Sequence, residues 1–207
     1  MSRKSSKDLY DAFTRRIRSL DSTRKRVEKL HHNSILGRVA VEQMYEGLFI
    51  SAFTAFEGFI ENLFVGLMVG NHMKQRGVVP RINVGTTIIA REIVLGPGRQ
   101  YADWLPYDRT LERANLFFRG GRPFTILAEQ QRRSLAQCQT IRNVIAHKSR
   151  HSVKKFETQV LGNIPLAPRD RRPGGFLRSQ YASNPIQTRF EYFATELILA
   201  AKYIVAA

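Results

Sequence analysis

Residues 47–70 read GLFISAFTAFEGFIENLFVGLMVG, a run whose only ionisable or amide-bearing side chains are Glu57, Glu61 and Asn62. A helix this apolar on most of its circumference must sit at the centre of a core or be buried on two faces. A membrane span would have to bury those three polar groups, which is costly, so the run is read as a core helix and no membrane partner is expected. It predicts a long helix over about Val39–His72, anchored by Phe49, Phe53, Phe56, Phe59, Ile60, Leu63, Phe64, Leu67 and Met68. Gly58, Gly66 and Gly70 lower helix propensity but permit close helix approach. A dimer interface would also absorb such an excess of apolar surface.

The rest of the chain supplies partners for that helix. Phe13, Ile17, Leu20, Val27 and Leu30 recur at helical spacing and predict a first helix over about Lys7–His32, capped by Ser5 or Ser6. Its cationic stretch RSLDSTRKRVEK is read as a solvated face. Residues 74–97 are punctuated by Gly77, Pro80, Gly85, Gly96 and Pro97, and VGTTIIAREIVL within them fits either a short strand pair or a helix. Pro106 and Asp108 suggest a helix start, and Gly120–Gly121 a turn. A further helix is predicted from Pro123–Thr125 to Ala146 or His147, with Leu127, Leu135, Cys138, Ile141 and Ile145 on its apolar side. RDRRPGG at 169–175 reads as part of an exposed basic loop over 162–184. A last helix is predicted over Pro185–Val205, anchored by Phe190, Phe193, Leu197, Leu199 and Ile204. The expected architecture is all-α: one domain over 1–207, a bundle of four to five main helices, with a variable insert at 74–122.

Two bulk properties narrow the function. The net charge of +16 points to a polyanionic partner. The single cysteine, Cys138, leaves no internal disulfide and no four-cysteine zinc site, which fits a reducing, cytoplasmic compartment. The N-terminus carries charge without an apolar run or a small-residue cleavage site, so no secretory signal is expected. His31, His32 and His72 are isolated, and His147 with His151 makes too small a set for a metal; no cofactor is expected.

The chemistry concentrates in IRNVIAHKS at 141–149. Arg142 and His147 are five residues apart, about 500° around a helix, so their Cβ vectors diverge by about 140°. A shared site requires the arginine to reach around or the helix end to change. Asn143 and His147, four apart, share a face. That arrangement suits an asparagine orienting an imidazole while the arginine reaches for a phosphate.

With Arg142, Asn143 and His147 in this order, and the acid-bearing apolar run AFTAFEGFIENLF and the segment Trp104–Leu105–Pro106 upstream, the chain resembles the HEPN superfamily, in particular its RiboL-PSP-HEPN branch. The resemblance covers roughly residues 40–150. It implies a helical homodimer and a metal-independent endoribonuclease, with a toxin or phage-defence role and an antitoxin or further defence subunit as partner. It assigns His147 as general acid or base, a task its near-neutral unperturbed pKa suits. Arg142 becomes the phosphate ligand, Asn143 holds the ring, and Glu57 orients Arg142 or completes the proton relay. The nucleophile would be the RNA's own 2′-OH, leaving 2′,3′-cyclic phosphate and 5′-hydroxyl ends. Arg132, Arg133, Lys148, Arg150, Lys154, Lys155, Arg169, Arg171, Arg172 and Arg178 would hold RNA phosphates, and Tyr101 or Tyr181 could stack on bases. The alternative is a non-catalytic RNA-binding or assembly module. A DNA- or membrane-surface-binding protein is a third reading.

Overall fold

The computed structural model describes residues 5–70, 77–96 and 102–206. Among these the fold is all-α. Its helices are α1 (Ser6–His32), α2 (Arg38–Met68), α3 (Thr87–Leu95), α4 (Tyr107–Phe117), α5 (Glu129–His147), α6 (Arg150–Phe156), α7 (Pro173–Arg178) and α8 (Arg189–Ala206). One antiparallel hairpin, β1 (Gln180–Ser183) and β2 (Ile186–Thr188), precedes α8. The chain divides into two compact units. The first comprises Met1–Thr14, Phe56–Leu135 and Ile198–Ala207, and the second Arg15–Ala55 and Ala136–Leu197.

The first unit is an aromatic core. Phe13 of α1 packs on Phe56 and Phe59 of α2, with ring centroids 5.9 and 5.3 Å apart. Further along α2, Phe64 lies 5.0 Å from Trp104, 4.9 Å from Phe118 and 5.1 Å from Phe124. The polar edges of this cluster are satisfied: Trp104 Nε1 donates to Glu61 (3.3 Å) and the Tyr107 hydroxyl to the Phe124 carbonyl (2.8 Å). Of the two possibilities for VGTTIIAREIVL the structure adopts the helix, because Thr86 caps it by accepting from the Ile89 amide. The helix expected to begin at Pro123–Thr125 begins at Glu129 instead. A separate 3₁₀ turn at Phe124–Ile126 seats Phe124 in the core, and Leu127 is extended, so the helix restarts after it. His72, Lys74 and Pro97 lie outside the described residues.

In the second unit Phe49 packs on Phe193, Tyr45 on Phe190 and Phe156 on Phe176, and Cys138 is fully buried. Two expectations are corrected here. The last helix begins at Arg189, not Pro185, because Thr188 and Glu191 form a reciprocal cap: the Glu191 amide donates to Thr188 Oγ1 (3.3 Å) and the Thr188 amide to Glu191 Oε2 (2.8 Å). The stretch 162–184 is not an open basic loop. It contains a 3₁₀ turn (Pro168–Arg171), α7 and β1, and Gly174, Gly175, Phe176 and Leu177 are buried. Gly174 lies so close to α2 that a Cβ there would stand 2.5 Å from the Glu42 carbonyl oxygen. Arg38 of α2 holds the same stretch through Asp170 (2.5 Å).

By length and composition alone α2 could cross a membrane, but half of its most apolar window is buried inside the protein. That burial is what a core helix shows.

Candidate active site at the end of the fifth helix

The apolar side of α5 in the second unit, Cys138, Ile141 and Val144, is buried and fixes the helix orientation. Arg142 and Asn143 are thereby half-buried and His147, on the last turn, is exposed. Lys148 stops the helix. Its φ of 45° is left-handed, and its amide donates to the Val144 carbonyl (3.2 Å), the role a glycine usually fills after a helix. Ser149 then caps α6 by accepting from the Ser152 amide (3.2 Å).

The long arginine side chain closes the angular gap between Arg142 and His147. Arg142 Nη1 lies 3.4 Å from His147 Nε2 and donates to Asn143 Oδ1 at 3.2 Å. A guanidinium has only donors, so Nε2 can enter this contact only as an acceptor. The structure differs from the sequence reading at Asn143. Its amide oxygen accepts from Arg142, and it is Arg142 that reaches the imidazole. Glu57 is half-buried on α2 in the first unit.

The segment 142–156 contains no acidic residue. Lys148, Arg150, Lys154 and Lys155 on it are all exposed, and so are Arg169, Arg171 and Arg172 of the second unit. Arg132 and Arg133 are exposed on the part of α5 that belongs to the first unit, where Arg133 pairs with Glu129 one turn away. Arg178 is not an available cation: it forms a two-pronged pair with Glu28, at 2.8 and 2.9 Å. Tyr181 stacks on Tyr192 at a centroid distance of 4.0 Å, and Tyr101 lies outside the described residues. Among the described residues no three His, Cys, Asp or Glu side chains gather as a metal-ligand set.

One polar cluster was not anticipated. Arg24, read as part of a solvated face, is 6% exposed. It bonds to Asp21 (2.8 Å), Glu191 (2.5 Å) and the Tyr45 hydroxyl (3.3 Å), and Tyr45 in turn donates to Glu28 (2.8 Å). Burial pushes the Tyr45 hydroxyl pKa up. Burial alone would also raise the Asp21 and Glu28 carboxyls, but their hydrogen bonds, from Arg24 and Lys25 to Asp21 and from Arg178 and Tyr45 to Glu28, outweigh it and hold both below the ordinary carboxylate value. The signal was present in the spacing: 13, 17, 20, 24 and 27 form one unbroken helical stripe, and Arg24 occupies its fourth position.

Comparison with known proteins gives no match, whether to a family model, a curated protein or a solved structure.

Proposed function

We propose that this protein is a metal-independent endoribonuclease whose site is Arg142, Asn143 and His147. The observation that carries the reading is the Arg142–His147 contact at 3.4 Å, made across a helical angle that would otherwise separate the two side chains. It sets an imidazole nitrogen beside a guanidinium on a segment, 142–156, that carries no acidic side chain and exposes Lys148, Arg150, Lys154 and Lys155. An RNA phosphodiester entering there draws Arg142 onto its non-bridging oxygens, which frees Nε2 as a base. Nε2 takes the 2′-OH proton, the 2′-oxygen attacks phosphorus, and the P–O5′ bond breaks. The 5′-oxygen leaves with a proton from water, and a 2′,3′-cyclic phosphate remains. Arg142 stabilises the added charge of the transition state, and Asn143 aims Arg142. The surrounding Lys148, Arg150, Lys154 and Lys155 hold flanking phosphates without reading sequence.

The exposure of His147 favours a second reading, a non-catalytic RNA-binding or assembly module. Incubation with single-stranded and structured RNA in EDTA separates the two. Wild type should release cyclic-phosphate ends, and His147→Ala and Arg142→Ala should each lose about a hundredfold or more of the rate. Undiminished cleavage by His147→Ala refutes the catalytic reading. Salt-sensitive RNA binding with no product from wild type establishes the second.

A further inference from the structure

The first unit holds a second basic feature, remote in sequence from the motif. Pro80 and Phe118 form an isolated antiparallel bridge. It is flanked by two backbone hydrogen bonds, from Arg81 to the Phe117 carbonyl (2.8 Å) and from Arg119 to the Val79 carbonyl (2.9 Å). In such a pairing alternate residues share a face. Phe118 is fully buried, whereas Val79, Arg81 and Arg119 beside it are exposed. Arg81 and Arg119 are diagonal cross-strand neighbours, a relation that sets their backbones about 7–8 Å apart. Together with Val79 and Pro80 they line an open cavity of about 420 Å³, to whose wall the described residues contribute no carboxylate. Arg81 Nε donates to the Phe118 carbonyl (3.4 Å), which anchors the guanidinium while leaving its outer nitrogens for another partner. Arg122 lies nearby, its Nη1 3.3 Å from where a Gly77 Cβ would stand.

The geometry points to a phosphate-binding site at this bridge, with Arg81 and Arg119 as its two jaws. Two guanidiniums held at fixed register around one cavity repel each other, and an oxyanion between them removes that cost and accepts from both forks. Among the described residues no aromatic side chain lines the cavity, and the recognition argued here is of the phosphate through its two arginines. The phosphate can belong to a free oligophosphate or to a nucleic-acid backbone.

The test titrates the full-length protein with sodium tripolyphosphate by calorimetry and with a short labelled single-stranded 2′-O-methyl RNA, which lacks the 2′-OH nucleophile, by anisotropy, comparing wild type with the R81A/R119A double variant. At least one affinity should fall about tenfold or more. Loss confined to tripolyphosphate identifies a free-phosphate site. Loss of RNA affinity, with a log–log salt slope shallower by about 1.4, identifies a backbone site engaging two phosphates. In parallel, the bound ligand should protect Arg81 and Arg119 of the wild-type protein from phenylglyoxal, read by mass spectrometry. Affinities within about twofold of wild type for both ligands in a folded double variant overturn the proposal. So does failure of both ligands to protect these arginines, a result that does not depend on how the variant folds. Cleavage enters neither readout, so this site stands or falls separately from the one at His147.

Discussion

Gly174→Ala and Gly47→Ala are the same change on two helices, and the structure assigns them opposite signs. Both glycines lie in helices, Gly47 in the interior of α2 and Gly174 in the first turn of α7, so propensity alone favours alanine by about 1 kcal/mol at the first and at most that at the second. At Gly47 a Cβ meets nothing within 4 Å, and that gain should be realised. At Gly174 the Cβ would stand 2.5, 2.8 and 2.9 Å from the carbonyl oxygen, carbonyl carbon and Cβ of Glu42. Two of those atoms are α2 backbone and cannot rotate away, so α7 must move outward. Overpacking of this kind costs about 1–3 kcal/mol. The shift also stretches the bond from the Gly174 amide to Glu46 (3.1 Å), at about 1 kcal/mol. Against the propensity gain, Gly174→Ala should be destabilised by roughly 2 kcal/mol net and Gly47→Ala stabilised by roughly 1. Urea denaturation followed by circular dichroism, with the slope unchanged and the midpoint shifted, measures both. A Gly174→Ala protein as stable as wild type would refute the close docking of α7 on α2.

The lowered pKa of Glu28 makes its contribution to stability present above the ordinary carboxylate value and lost as pH falls through the folded-state value below it. Glu28→Gln should therefore cost about 1–2 kcal/mol at neutral pH and flatten the fall in thermal midpoint below about pH 4.5; a variant with the acid sensitivity of wild type contradicts the Arg178–Glu28–Tyr45 linkage. The Cys138 thiol is buried and burial pushes its pKa up, so the native protein should resist iodoacetamide and react stoichiometrically only in denaturant. Rapid labelling under native conditions would show that the second unit opens at α5.

Much of the helical framework was legible locally. The stripes at 13, 17, 20 and 27 and at 138 and 141, and the apolar circumference of α2, are consequences of a 3.6-residue period that any window of the chain displays. The start of α8 was equally local. Thr188 and Glu191 stand at capping-box spacing. Site legibility was uneven: the order of Arg142, Asn143 and His147 was visible, but which of them touch was not, because helical angle alone sets Arg142 and His147 apart and only the rotamer of a long side chain brings them together.

The sequence by itself determined an all-α chain, its long helices to within a few residues, the apolar anchors of those helices, its positive charge and the position of its candidate motif. Each follows from period, propensity or count. Only the tertiary structure decided which cations are free. Arg24 meets Glu191 across 167 residues and Arg178 meets Glu28 across 150, which removes both from any ligand-binding surface, whereas Arg81 and Arg119 face an open cavity. A charge reads the same in the sequence whether it is paired or not. Pairing depends on separations of a few ångströms between side chains far apart along the chain, and these exist only once the helices have packed.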